Sequence, residues 1–133
     1  MATKKTTKPL VLSTSLVAPP APTLLDCRFY KTKAGNEPVR EWLKKLSKDV
    51  RNEVGTDLRM VQQGWPVGPP LTDSFGDGLW EVRTSLDGNI YRVLFCITNS
   101  VIVCLHGFTK KTKKTTDQDI ALARKRQREE DES

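Results

Sequence analysis

Two hydrophobic periods divide the chain. In "LDCRFYKT" the residues Leu25, Cys27, Phe29 and Lys31 alternate with Asp26, Arg28, Tyr30 and Thr32, which predicts a first strand. After a turn at Ala34-Gly35 the period lengthens: Val39, Trp42, Leu43 and Leu46 fall at i, i+3, i+4 and i+7, the stripe of an amphipathic helix of about three turns. Asn36 is its expected N-cap, with Pro38 in the first turn. Ser47 can cap a second helix whose Val50, Val54, Leu58 and Val61 form one apolar row until Gly64 stops it.

"GWPVGPPLTDSFGDG" is dense in Gly and Pro and reads as loop. Three strand-like segments follow, "LWEVRTS", "NIYRVLFCIT" and "SVIVCLHGF". Asp87-Gly88 joins the first two as a hairpin, and "TNS" joins the last two. From Thr116, a further cap, "TDQDIALARKRQREEDES" predicts a short terminal helix with Asp117 and Asp119 in its first turn. The expected class is α+β: a small antiparallel sheet, a helix hairpin on one face, and the other face open to polar and basic groups. Residues 1–24, broken by Pro9, Pro19, Pro20 and Pro22, read as an N-terminal tail, and 25–133 as the domain. The tail is either a solubilising leader or an arm that contacts RNA or a partner through Lys4, Lys5 and Lys8.

Length and charge narrow the function. With 133 residues there is room for one modest core. The net charge of +6 makes polyanions the first partners to consider. Its distribution sharpens the point: no acidic residue lies between Gly88 and Thr116, a stretch holding Arg92, Lys110, Lys111, Lys113 and Lys114. An odd set of cysteines, Cys27, Cys96 and Cys104, suits reduced thiols and a cytoplasmic location, and neither a membrane span nor a signal peptide is read. With one histidine, scattered carboxylates and no phosphate-cradling glycine loop, the chain is expected to use no metal or other cofactor.

The candidate chemistry lies in the last three strands. Alternation places Glu81, Arg83 and Ser85 opposite Trp80, Val82 and Thr84, and Ile90, Arg92, Leu94 and Cys96 opposite Tyr91, Val93, Phe95 and Ile97. Arg92, inside an apolar run, requires an anion, either a protein carboxylate such as Glu81 or a substrate phosphate. His106, the only histidine, is read on one face with Cys104 and Phe108; it is either a structural residue or a base kept neutral by its basic surroundings. The four lysines from Lys110 to Lys114 are a solvated loop or a polyanion contact, and Phe108 and Tyr91 offer aromatic surface to a base.

Taken in order, "GLWEVR", "YRV" and "LHGFTKKTKKT", with "EPVREWLKKLSKDVR" upstream, resemble the HigB branch of the RelE superfamily of bacterial and phage toxins, from about Cys27 to Arg126. The resemblance implies a toxin of a type II toxin–antitoxin pair that enters the ribosomal A site and cuts mRNA without metal. The products would be a 2′,3′-cyclic phosphate and a 5′-OH. Its partner would be a helix-turn-helix antitoxin, through which alone the toxin would meet operator DNA; no membrane is involved. By position, Arg83, Arg92 and Lys110 or Lys111 match the family's basic residues, and His106 its "LHGF" histidine. His106 and Tyr91 are the candidates for the base, and Lys111, Lys113, Lys114 and Phe108 for RNA contact. The family's catalytic tyrosine or histidine nearer the C-terminus has no counterpart after Phe108. The competing reading is a non-enzymatic basic module, or an inactive toxin relative acting with an antitoxin as a transcriptional regulator.

Overall fold

The computed structural model describes residues 24–110 and 114–132, so the tail reading of 1–24 lies almost wholly outside the described residues. In chain order the elements are β1 (Asp26–Phe29), α1 (Pro38–Lys44), α2 (Lys48–Gly64), β2 (Thr72–Gly76), β3 (Leu79–Leu86), β4 (Asn89–Thr98), β5 (Val101–Lys110) and α3 (Asp117–Asp131). The described strands form one five-stranded sheet in the order β1-β5-β4-β3-β2. All neighbours are antiparallel except β1, which runs parallel to β5. The class is α+β.

Local chemistry accounts for most boundaries. Ser47 caps α2 by accepting a hydrogen bond from the Val50 amide at 3.3 Å. The apolar row of α2, Val50, Val54, Leu58 and Val61, is buried as its spacing predicts. Helix α1 is shorter than expected, seven residues, and its N-cap is Glu37 rather than Asn36. The Asn36 amide instead donates to the Thr32 hydroxyl, closing the preceding turn. The hairpin turn at Asp87-Gly88 has φ of 52° and 79°, the left-handed pair that a two-residue hairpin turn needs.

Strand β2 corrects the loop reading of the Gly/Pro-rich segment. It pairs with β3 through Asp77-Gly78, whose φ values of 51° and 79° repeat those of the second hairpin. The strand is a polar edge, "TDSFG", with too few apolar positions for alternation to reveal it.

Two apolar clusters lie on opposite faces of the sheet. Val39, Val54, Leu58 and Val61 of the helix hairpin pack on Val82, Tyr91, Val93, Phe95, Ile102 and Cys104. On the other face Leu79, Leu94, Cys96, Val103, Leu105 and Phe108 pack with Ala123 and Ile120 of α3. The expectation of an open second face is therefore overturned over its upper half, because α3 lies on it. Polar ties to backbone carbonyls reinforce its few apolar contacts: Arg124 donates to the carbonyls of Phe75 and Gly76 at 2.7 and 2.8 Å, and Arg126 to that of Leu105 at 2.7 Å.

Leu105 is also where β5 changes phase. Leu94 pairs with His106 but Phe95 pairs with Cys104, so one extra residue is bulged between them. Cys104 consequently faces the helix hairpin while His106 and Phe108 face the α3 side, contrary to the strict alternation expected of them. Gly107 then points at α1. A Cβ there would run into the Trp42 ring, reaching Cζ3 at 2.7 Å. Gly107→Ala is accordingly expected to cost about 1–3 kcal/mol, as overpacking does, read as a lower urea midpoint. Trp42→Leu in the same chain should recover part of it; an unchanged midpoint in Gly107→Ala would mean that α1 shifts freely on the sheet.

Candidate functional site

Register turns the α3-side face of β3, β4 and β5 into a grid of three rows. Glu81, Leu94 and His106 form one row, Arg83, Arg92 and Phe108 the next, and Ser85, Ile90 and Lys110 the third. Five sequence candidates, Arg83, Arg92, His106, Phe108 and Lys110, thus share one face, spread over about 10 Å across the strands and about 14 Å along them. Helix α3 packs over the region beyond the first row, and the segment preceding it returns across the grid with Lys114 and Thr115.

The two arginines differ in their surroundings. Arg92 is 1% exposed and donates from Nη1 to Glu81 Oε1 at 2.7 Å; Glu81 is equally buried and also accepts from the Thr115 hydroxyl. Arg92 therefore has the carboxylate partner that was one of its two readings, although it also lines the clefts described next. Arg83, opposite it on β3, is 26% exposed. Its Nη1 stands 3.7 Å from both Asp73 and Glu81, and Nη2 donates to the Pro70 carbonyl at 3.3 Å. A guanidinium with such long contacts keeps donors for an incoming anion.

Clefts open on both sides of these arginines. One, of about 350 Å³, is bounded by Asp73, Glu81, Lys114, Thr115 and Asp117; the other, of about 470 Å³, by Pro70, Leu71, Ser85 and Ile90. Lys114 is exposed beside the first, within reach of a ligand bound there.

His106, Lys110 and the α3 cap meet at one carboxylate. Asp119 Oδ1 lies 2.9 Å from His106 Nε2, and Asp119 Oδ2 accepts from Lys110 Nζ at 2.8 Å and from the Thr116 hydroxyl at 2.6 Å. The Thr116 oxygen in turn accepts from the Asp119 amide at 3.2 Å, capping α3 as its sequence predicts. The His106 ring stacks on Phe108, with centroids 5.1 Å apart, and Lys110 Nζ sits 5.3 Å from the centre of that same ring.

Burial lowers the His106 pKa below its ordinary 6.5; Asp119 opposes the shift, while Arg126 and Lys110 add to it. The downward shift expected from a basic surface is thus there in direction, but desolvation is its first cause. For Asp119, burial acts upward, yet the bonds from Lys110, Thr116 and His106 outweigh it and hold the carboxyl at about 2. Both shifts have the same sign in stability. The unfolded chain takes up the histidine proton first, so stability declines as pH falls below about 6.5 toward the folded value. The Asp119 contribution is complete above 3.8 and is lost as pH falls toward 2, a second decline of roughly 1–2 kcal/mol after screening. Urea midpoints against pH should show both stages. His106→Gln should remove the upper stage alone; if it does not, another group carries it.

Tyr91 does not join this face. It lies on the helix-hairpin side, buried in that core, with its hydroxyl 3.5 Å from Asn89 Nδ2, so the nearby aromatic surface expected from it is absent and His106 is the base candidate on the grid. Lys111 and Lys113 lie outside the described residues. Asp119 and Thr115 were missed as site residues: each reaches the sheet because the chain turns back after β5, and neither composition nor spacing signals that return.

The family model described as Phage derived protein Gp49-like (DUF891) matches residues 41–128. The chain belongs to this Gp49-like family. It is a RelE/toxin-like family, and membership is consistent with a toxin of a toxin–antitoxin system. The match takes in α2, β2 to β5 and most of α3, and so every element of the grid and of the Asp119 cluster. No curated protein matches the chain. Among the described residues of this Gp49-like chain, no helix is long and apolar enough to cross a membrane.

Proposed function

We propose that this Gp49-like protein is the toxin of a type II toxin–antitoxin pair, of the HigB-like branch and RelE-like arrangement, and that it cleaves mRNA in the ribosomal A site. The observation that carries the reading is Arg83: a guanidinium 26% exposed, its two carboxylate contacts 3.7 Å long, between two clefts and on the face that also holds His106. In this chemistry the RNA supplies its own nucleophile. The 2′-hydroxyl gives up its proton, its oxygen bonds to phosphorus, and the bond from phosphorus to the 5′-oxygen breaks as that oxygen takes a proton from water, whose hydroxide then recovers the one the base has accepted. The products are a 2′,3′-cyclic phosphate and a 5′-OH.

Arg83 binds the scissile phosphate and the charge that grows on it, Lys114 adds positive charge from the facing segment, and Arg92 with Glu81 sets the floor beneath them. His106 is the proton acceptor: with Nε2–H donated to Asp119, Nδ1 keeps a free lone pair. The antitoxin partner is a small helix-turn-helix protein, and operator DNA is met only through the complex.

The competing reading, a basic binding module without catalysis, draws support from the same cluster, since Asp119 already neutralises Lys110 and engages His106. Induced expression with mapping of mRNA 5′ ends separates the two. New 5′-OH ends inside translated frames, absent with Arg83→Ala, are expected of the nuclease. Intact mRNA with arrested growth would favour the binding module, and unchanged ends in the variant would remove Arg83 from the site.

A further inference from the structure

The cleft on the Pro70 side of Arg83 has a chemistry unlike that of its neighbour. Pro70, Leu71 and Ile90 line it with apolar surface, and the exposed Ser85, paired across the strands with Ile90, adds a hydroxyl. Arg83 and Arg92 complete the lining. Such a slot offers flat apolar contact and one hydrogen-bonding group beside an anion-binding guanidinium. A volume of about 470 Å³ accommodates a single heterocycle with its sugar.

We infer that this slot is a nucleobase subsite: the base of the nucleotide whose phosphate Arg83 holds lies against the apolar surface of Pro70, Leu71 and Ile90, with the Ser85 hydroxyl beside it. The inference rests on the proposed anion site at Arg83 and adds to it where the base goes and how far it is read. A single hydroxyl, able both to donate and to accept, reads neither a purine nor a pyrimidine edge uniquely. The slot therefore holds the base by the apolar contact of its face, which every base offers, and any strong codon preference must arise elsewhere in the complex.

The arrangement is testable without the ribosome. The full-length protein would be titrated, followed by amide chemical shifts, with inorganic phosphate and with each of the four nucleoside 3′-monophosphates. Nucleotides should bind about fivefold more tightly than phosphate, the order of what covering a small apolar area contributes, with less than about tenfold separating the four. Ser85→Phe fills the slot from an exposed position and should abolish the nucleotide advantage while leaving phosphate affinity unchanged. Equal affinity for phosphate and nucleotides would overturn the subsite and leave the Arg83 anion site standing. Binding of neither would overturn both, and a preference above about tenfold for one base would overturn reading by the face alone.

Discussion

Arg92→Ala should cost the fold about 3–5 kcal/mol, as removing one partner of a buried ion pair does. The alanine would leave Glu81, 1% exposed, with the Thr115 hydroxyl and a guanidinium 3.7 Å away as its neighbours. Since small domains are stable by only about 5–15 kcal/mol, much of the variant would be unfolded at growth temperature. The pair need not be strongly stabilising for this to hold, because the penalty comes from stranding a charge. Arg92→Met with Glu81→Leu should therefore recover most of the loss, and urea midpoints of the two singles and the double measure the coupling. A single-variant shift worth less than about 1 kcal/mol would show that water reaches Glu81 and that the pair is dispensable. If the loss is as large as expected, absence of growth arrest in Arg92→Ala reports unfolding and says nothing about chemistry.

That distinction was only partly legible in the sequence. Alternation in "LWEVRTS" and "NIYRVLFCIT" sorts the two faces of β3 and β4 correctly, and it puts Glu81 within view of Arg92. It has no means of saying that one arginine is buried and the other partly exposed, since both occupy the same row and the covering segment comes from residues 114–117. In β5 alternation fails at one residue, Leu105, where a bulge that no local residue type announces shifts His106 and Phe108 to the α3 side. Strand β2 carried a readable signal in Asp77-Gly78, outweighed by the prolines before it. Helix α3 was read as a helix from its cap, but its docking was hidden: Ile120 and Ala123 are a thin apolar face, and the arginines that fasten it bind carbonyls, which have no sequence identity.

Arg83→Ala should leave the fold nearly intact and remove most of the activity. Its contacts with Asp73 and Glu81 are 3.7 Å long and its one hydrogen bond, to the Pro70 carbonyl, is 3.3 Å, so the change in stability should stay at about 1 kcal/mol. Cleavage by the nuclease should fall by about 10²–10³-fold, the usual effect of deleting one donor aimed at developing charge. Arg83→Lys keeps the charge but not the planar fork and should lie between the two. The measurement is single-turnover cleavage of mRNA on programmed ribosomes at fixed salt, with a urea titration of each variant beside it. A non-catalytic binder responds differently: Arg83→Ala would weaken RNA affinity and reduce the salt slope by about 0.7, with no rate to lose. A variant that folds, binds with one phosphate contact fewer and still cuts at the wild-type rate would leave the geometry of the Arg83 row intact and move the chemistry to the Asp119 cluster, where His106 and Lys110 already share one carboxylate.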